Sequence, residues 1–253
     1  NLNQIFFCGS YGDPIMHPEF LDIIKDFRRK NPKLWIYVHT NGGVRKPEWW
    51  EELAKTINGY GKIDFGIDGL EKTNHLYRRG VHFDRVIENA KAFINAGGNA
   101  QWNYIVFEHN EHEIEDAKKL SKEIGFQDIL VRSTGRFLNH DTLEEMDSWP
   151  VFSREGYELK LPKNDKYRNA SMLNLPKLRK DYADIKKYFS ETKIKCDACV
   201  GNKVVITAEG LVLPCNFFEH NLYDARFHNR KFMPGANDLH FIDGKNQVEM
   251  FIE

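Results

Sequence analysis

Residues 62–98, KIDFGIDGLEKTNHLYRRGVHFDRVIENAKAFINAGG, decide the fold. The first seven, Lys62 to Asp68, place Ile63, Phe65 and Ile67 at alternate positions and end at Asp68-Gly69, which reads as a strand running into a loop. Further on, Phe83, Val86, Ile87, Ala90, Phe93 and Ile94 recur at i, i+3, i+4 and i+7, the period of a helix with one buried face, and Gly97-Gly98 ends it. A strand, a loop and an amphipathic helix in that order form the repeating unit of a parallel α/β protein.

The same unit extends outward in both directions. Upstream stands a strand at Gln4–Cys8 and a helix over 18–30 with Phe20, Ile23, Ile24 and Phe27 on one face. A strand at Leu34–His39 follows, then Thr40-Asn41-Gly42-Gly43 and a helix opening at Pro47, a residue suited to a first turn because its missing N–H would have no partner there. Downstream, a strand at Gln101–Phe107 leads to a helix with Ile114, Ala117, Leu120 and Ile124, stopped by Gly125, and a strand at Asp128–Arg132 closes the series. Five strands alternating with four helices predict an α/β fold, with the parallel sheet forming a partial (β/α) TIM-type barrel over residues 1–133. Residues 134–195 lose the rhythm and read as a connector with one helix near Leu175–Phe189. Residues 196–253 read as a small cysteine-bearing β-hairpin domain.

That last domain rests on Cys196-Asp-Ala-Cys199, fifteen residues, then Cys215. The segment between them alternates like two short strands turning at Ala208-Glu209-Gly210, which would carry Cys215 back towards Cys196 and Cys199. Three gathered thiolates suit an iron–sulfur cluster or zinc, although both metals normally take four protein ligands. A buried thiol cluster is the plain alternative. A redox CxxC fits less well, since a hairpin follows rather than the helix whose N-terminus would lower a thiol pKa.

Composition narrows the function classes. Lys and Arg total 36 against 37 Asp and Glu, a formal charge of −1, so there is no electrostatic footprint for nucleic acid or for an anionic membrane. No apolar run approaches a membrane span. Crowded cysteines point to a reducing compartment, with the cytoplasm as the default. The chain opens at Asn1 rather than Met and enters a strand almost at once, so it reads as part of a longer protein.

In parallel α/β architectures the loops at the carboxyl ends of the strands build the site. Four here are chemically loaded: Cys8 to His17 with Gly12, Asp13 and Pro14; Thr40-Asn41-Gly42; Gly66-Ile-Asp68-Gly69 with Arg78 and Arg79 beyond it; and Phe107-Glu-His-Asn110. Each alone is ordinary turn chemistry, but four at successive strand ends form a candidate site.

The order Gly12-Asp13-Pro14, Thr40-Asn41-Gly42, Asp68-Gly69 with Arg78, then the cysteine hairpin, resembles radical S-adenosylmethionine enzymes that carry a C-terminal SPASM or twitch-type auxiliary-cluster domain. The resemblance implies a 4Fe–4S cluster that cleaves S-adenosylmethionine to a 5′-deoxyadenosyl radical, which abstracts hydrogen from a substrate, often a peptide or protein. It also implies an electron donor such as flavodoxin or ferredoxin. Tyr11-Gly12-Asp13-Pro14 would correspond to the Gly-Gly-Glu-Pro stretch that meets the methionine amino group, and Arg78 to an arginine pairing with the methionine carboxylate. Thr40, Asn41, Gly66 and Asp68 complete the implied cofactor site, and Cys196, Cys199 and Cys215 the auxiliary cluster. Two features depart from the pattern. The CxxxCxxC motif that follows the first barrel strand is not in this chain, and Gly66 stands where the family often places a serine. Cys8 reads as a core residue at a strand end. The rival readings are another α/β enzyme with a structural zinc site, and a non-catalytic binding module clipped by metal.

Overall fold

A computed structural model describes residues 2–9, 12–139, 144–150, 157–169, 180–182, 200–207 and 210–213, with single positions at 174, 177, 187, 191 and 193. The chain divides into two compact units, Asn1–Asp181 and Tyr182–Glu253.

The first unit follows the strand–helix alternation read from the sequence. Its elements are β1 (Gln4–Phe7), α1 (Phe20–Lys30), β2 (Trp35–Thr40), α2 (Pro47–Ile57), β3 (Gly61–Gly66), the single-turn α3 (Asn74–Tyr77), α4 (Phe83–Asn95), β4 (Ala100–Ile105), α5 (Ile114–Ile124) and β5 (Asp128–Arg132). The five strands form one sheet in chain order, and every neighbouring pair is parallel. This is the partial (β/α) barrel expected.

The helices form where the apolar period requires them. In α1, Phe20, Leu21 and Ile24 are buried, while Arg28, Arg29 and Lys30 occupy the last turn, where cations meet the negative end of the helix dipole. Pro47 opens α2, whose Trp50, Leu53, Ala54 and Ile57 are buried. Val86, Ala90 and Phe93 make the inner stripe of α4, and Gly125 ends α5 with φ +97°. These stripes pack on Ile36, Val38, Ile63, Phe65, Ala100, Trp102 and Tyr104, alternate residues on one face of the sheet. Trp50 lies 5.2 Å from Phe65, and burial of each such ring contributes about 2–3 kcal/mol. Residues of the opposite parity, among them Tyr37, His39, Lys62, Asp64, Gln101 and Asn103, give the other face a polar character.

Cys8 is exposed instead of lying in the core. It follows β1, an edge strand whose residues alternate between exposed and half-buried, so a side chain there has cover on one side at most.

Beyond β5 no periodic pattern stands out in the residues, yet two short antiparallel pairs are present: β6 (Leu138–Asn139) with β7 (Glu144–Glu145), and β8 (Ser148–Pro150) with β9 (Glu158–Lys160). They enclose a second small core of Phe107, Phe137, Leu159 and Leu161, and the Glu108 N–H donates to the Lys160 carbonyl at 3.1 Å. The loop after β4 is thereby fixed to the segment downstream. The expected helix near Leu175–Phe189 falls mostly outside the described residues.

In the second unit β10 (Val205–Ile206) pairs antiparallel with β11 (Val212–Leu213), and Gly210 takes φ +86°, the conformation such a turn requires. The hairpin read from the sequence is therefore present. Cys196, Cys199 and Cys215 lie outside the described residues.

Candidate cofactor site at the carboxyl rim

Because all five strands run the same way, the loops that follow them meet at one rim. Asp13 lies past β1, Thr40 closes β2 with Asn41 next, Gly66 closes β3 with Asp68 two residues on, and Asn110 lies past β4. The candidate residues read from separate motifs prove to be joined by hydrogen bonds.

Asp13 caps a 3-10 turn, Pro14–Met16, and its Oδ1 accepts from the Ile15 N–H at 3.2 Å. Its Oδ2 accepts from the Thr40 hydroxyl at 2.8 Å and from the Asn41 N–H at 2.7 Å. An ionised carboxylate offers about four acceptor positions, so three donors leave Asp13 room for roughly one more. Thr40 in turn accepts from the Gly42 N–H at 2.9 Å. At Gly12 an added β-carbon would meet nothing within 4 Å, so the backbone beside Asp13 borders open space.

Asp68 is fully buried, at 0% exposure, and Arg78 is 21% exposed. The Arg78 Nε donates to Asp68 Oδ2 at 2.5 Å, and an Nη donates to Asn41 Oδ1 at 2.7 Å. Asp68 Oδ1 accepts from the Ile105 N–H at 2.5 Å. Burial pushes the Asp68 carboxyl upward, while the Arg78 guanidinium and the Ile105 N–H pull it down. Of the two adjacent arginines, it is Arg78 that meets this carboxylate. An added β-carbon on Gly66 would stand 2.6 Å from the other Nη of Arg78, so the missing side chain is what admits the guanidinium.

Buried asparagines hold the loops, and of these only Asn110, in the Phe107–Asn110 loop, was singled out from sequence. The Asn74 Oδ1 accepts from the Asp68 N–H at 2.9 Å. The Asn110 Nδ2 donates to the Asp68 and Ile105 carbonyls at 2.8 and 2.9 Å, and its Oδ1 accepts from the Phe107 N–H. On the apolar face of α4, Asn89 donates to the Gly42 carbonyl at 2.7 Å. That asparagine was the readable signal: a polar residue inside an otherwise apolar helical stripe needs a specific partner.

The residues present fit a zwitterionic amino acid moiety. A partly exposed guanidinium suits a carboxylate, and a carboxylate with a remaining lone pair suits an ammonium group. On the neighbouring strand Asn103, the register partner of Gly66, keeps its Oδ1 buried without a hydrogen-bond partner among the described residues. That orphaned acceptor is the kind of group a ligand satisfies.

Comparison with known proteins bears on the fold that carries these loops. Residues 3–121 match the Radical SAM superfamily. The GTP 3′,8-cyclase of Nautilia profundicola is 23% identical over 234 residues, covering 88% of this chain and 69% of the relative. Among solved structures, Streptococcus suis SuiB bound to S-adenosylmethionine aligns with a TM-score of 0.51 at 19% identity, over 85% of this chain and 49% of SuiB. Hexahistidine-tagged anSMEcpe with bound AdoMet aligns at 0.50 and 16%, over 85% of this chain and 58% of that one. The chain thus spans about half the length of these structures. The five-stranded parallel sheet has the fold of these structures, and residues 3–121, a little under half of the chain, are similar to the Radical SAM superfamily.

Proposed function

We propose that this chain is the cofactor-binding and substrate-binding part of a radical S-adenosylmethionine enzyme. The observation that carries the reading is the superfamily match over residues 3–121, whose strand ends bear the joined Asp13, Asn41, Asp68 and Arg78. When bound, S-adenosylmethionine and a 4Fe–4S cluster, whose ligands are not in this chain, supply a 5′-deoxyadenosyl radical for hydrogen abstraction. The residues here bind and orient. Arg78 takes the methionine carboxylate on the edge of its fork that Asp68 leaves available, and Asp13 accepts from the ammonium. Gly12 and Pro14 shape the loop so that backbone approaches the ligand, Thr40 and Asn41 hold Asp13 in place, and Gly66 leaves the space in which the guanidinium lies.

A peptide or protein substrate is the proposed class. SuiB has been solved with the precursor peptide SuiA, and anSMEcpe with a Kp18Cys peptide. Cys196, Cys199 and Cys215 are proposed to hold an auxiliary iron–sulfur cluster, with zinc as the competing metal, and a small electron-transfer protein such as flavodoxin or ferredoxin is the proposed donor.

The test uses the full-length protein, reconstituted anaerobically. Dithionite and S-adenosylmethionine should yield 5′-deoxyadenosine, and its absence from a cluster-loaded sample overturns the reading. Arg78→Ala should weaken S-adenosylmethionine binding by at least about 1.5 kcal/mol, the lower bound for a charged hydrogen bond. Unchanged affinity in a folded variant removes Arg78 from the site. Iron and sulfide lost from Cys199→Ser, beyond the radical-generating cluster, would support the auxiliary site; zinc there would replace iron–sulfur by a structural role.

A further inference from the structure

The polar face of the sheet carries a group that the cofactor site does not use. Asp64 on β3 is 1% exposed, and His39 on β2, its register partner, is 33% exposed. The His39 Nε2 stands 2.9 Å from Asp64 Oδ2 and 3.0 Å from the Tyr37 oxygen. The Tyr37 hydroxyl donates to that same Asp64 oxygen. Asp64 Oδ1 is buried without a hydrogen-bond partner among the described residues.

This geometry fixes a proton. The tyrosine hydrogen is committed to Asp64, and a carboxylate oxygen only accepts, so the His39 Nε2 has two acceptors before it and must donate. A neutral ring with its proton on Nε2 has its lone pair on Nδ1. Among the described residues, no hydrogen bond engages Nδ1. Burial, reinforced by Asp64, pushes the Tyr37 phenol well above its ordinary value, so it remains a donor at any working pH. Phe6 stacks on the Tyr37 ring at 4.7 Å and meets His39 edge-on at 4.7 Å, which restrains both rings. The other charged groups facing the cluster are Lys62, 4.9 Å over the Tyr37 ring and bonded to Gln101, and Arg132.

We propose that His39 is the acid–base residue of this face, oriented by Asp64 and Tyr37 to exchange a proton through Nδ1 with a hydroxyl or ammonium group of a substrate. In the forward direction the substrate O–H or N–H bond breaks heterolytically, its electron pair stays on oxygen or nitrogen, and the proton forms the second N–H of the imidazolium. Asp64 offsets the new charge, as a buried carboxylate behind a histidine does in hydrolytic triads. The role as a substrate group rests on the radical enzyme reading, whereas the oriented histidine does not.

The experiment reads the histidine directly. In long-range proton–nitrogen correlation spectra of the histidine-labelled chain, the neutral form of His39 should carry its hydrogen on Nε2. Tyr37→Phe should keep that tautomer, because Asp64 still accepts, and Asp64→Asn should convert it to a mixture. Diethyl pyrocarbonate, which needs an available imidazole lone pair, should modify His39 at a rate within threefold of exposed His82, and at least threefold more slowly in Asp64→Asn. Hydrogen on Nδ1 in the unsubstituted chain overturns the proposal, and so does a His39 that stays unmodified while His82 reacts. Should Asp64→Asn fail to fold, the unsubstituted chain and Tyr37→Phe still decide it. Failure of the full-length protein to form 5′-deoxyadenosine would instead count against the radical reading, so the two failures are read separately.

Discussion

A β-carbon built on Gly66 would stand 2.8 Å from the guanidinium carbon of Arg78, the residue that neutralises fully buried Asp68. Glycine at 66 and arginine at 78 therefore form a matched pair. A side chain on the strand end and a guanidinium lying over that strand end exclude each other.

The first prediction follows directly. Gly66→Ala should displace Arg78 from Asp68 and lower unfolding free energy by up to about 3 kcal/mol, since a buried charge that loses its partner is strongly destabilising. Arg78→Ala should cost a similar amount, and Gly66→Ala made in that background should cost almost nothing more. Urea denaturation of the four proteins gives the coupling energy. Additive losses would mean that Gly66 is required for some other reason.

Asp13→Ala removes the acceptor for Ile15 N–H, Asn41 N–H and the Thr40 hydroxyl at once. The loss should be about 2 kcal/mol, the upper end for deletion of a side-chain cap. Asp13→Asn keeps one acceptor oxygen and should lose less than half as much in thermal denaturation. Equal losses would show that charge, more than hydrogen bonding, holds the loop.

Arg45 has φ +69°, unusual for a residue with a side chain, and its guanidinium donates to the Ile15 carbonyl at 2.9 Å and the His17 carbonyl at 2.7 Å. Two opposed effects can be separated. Arg45→Ala loses the bonds and keeps the strained backbone, whereas Arg45→Gly loses the bonds and relieves it. The glycine variant should be the more stable by roughly 1 kcal/mol, with both below the parent. An alanine variant as stable as the glycine one would place no strain at residue 45.

His109 gives a pH signature. Burial lowers its pKa from 6.5 to about 4, with Glu113 opposing and His112 and His75 adding to the shift. Its Nε2 is buried without a partner among the described residues, and the ring stacks on Phe107 at 5.5 Å. The folded value lies below the unfolded one, so the unfolded chain binds more protons between pH 6.5 and about 4. Stability should therefore fall as pH falls through that window. His109→Phe should flatten the slope there, and an NMR titration should find the His109 midpoint near the lower limit. A midpoint at the ordinary value would show that the ring is hydrated in solution.

The sheet and its four long helices were legible because each strand is short with apolar residues at alternate positions and each helix an interrupted stripe; α4 shows this from Phe83 to Ile94. The rim loops were legible as locations, since a parallel sheet places them on one edge. Their connections were not. That Arg78 would reach both Asp68 and Asn41 depends on a ten-residue excursion through α3, and nothing local to Arg78 records it. The cluster of Tyr37, His39 and Asp64 was visible as a period-two polar stripe in strands whose other residues are apolar. An apolar period locates a strand but is silent on what the polar residues between its apolar positions do. The small core around Phe137 and Leu159 arises from strands of two or three residues, too short for any periodicity to show.

The hydrogen bonds at the rim run without a break from Ile15 through Asp13, Asn41, Arg78 and Asp68 to Ile105, touching four successive strand ends. Amide exchange should register that continuity. The Ile15, Asn41 and Ile105 N–H groups sit far apart in sequence, yet none can reach solvent unless its acceptor lets go, and each acceptor is held by the next link. Their protection factors should converge on one opening free energy, and all three should drop together in Arg78→Ala. The four loops would then breathe as one cooperative unit, and a ligand that grips any one of them would slow exchange at the others.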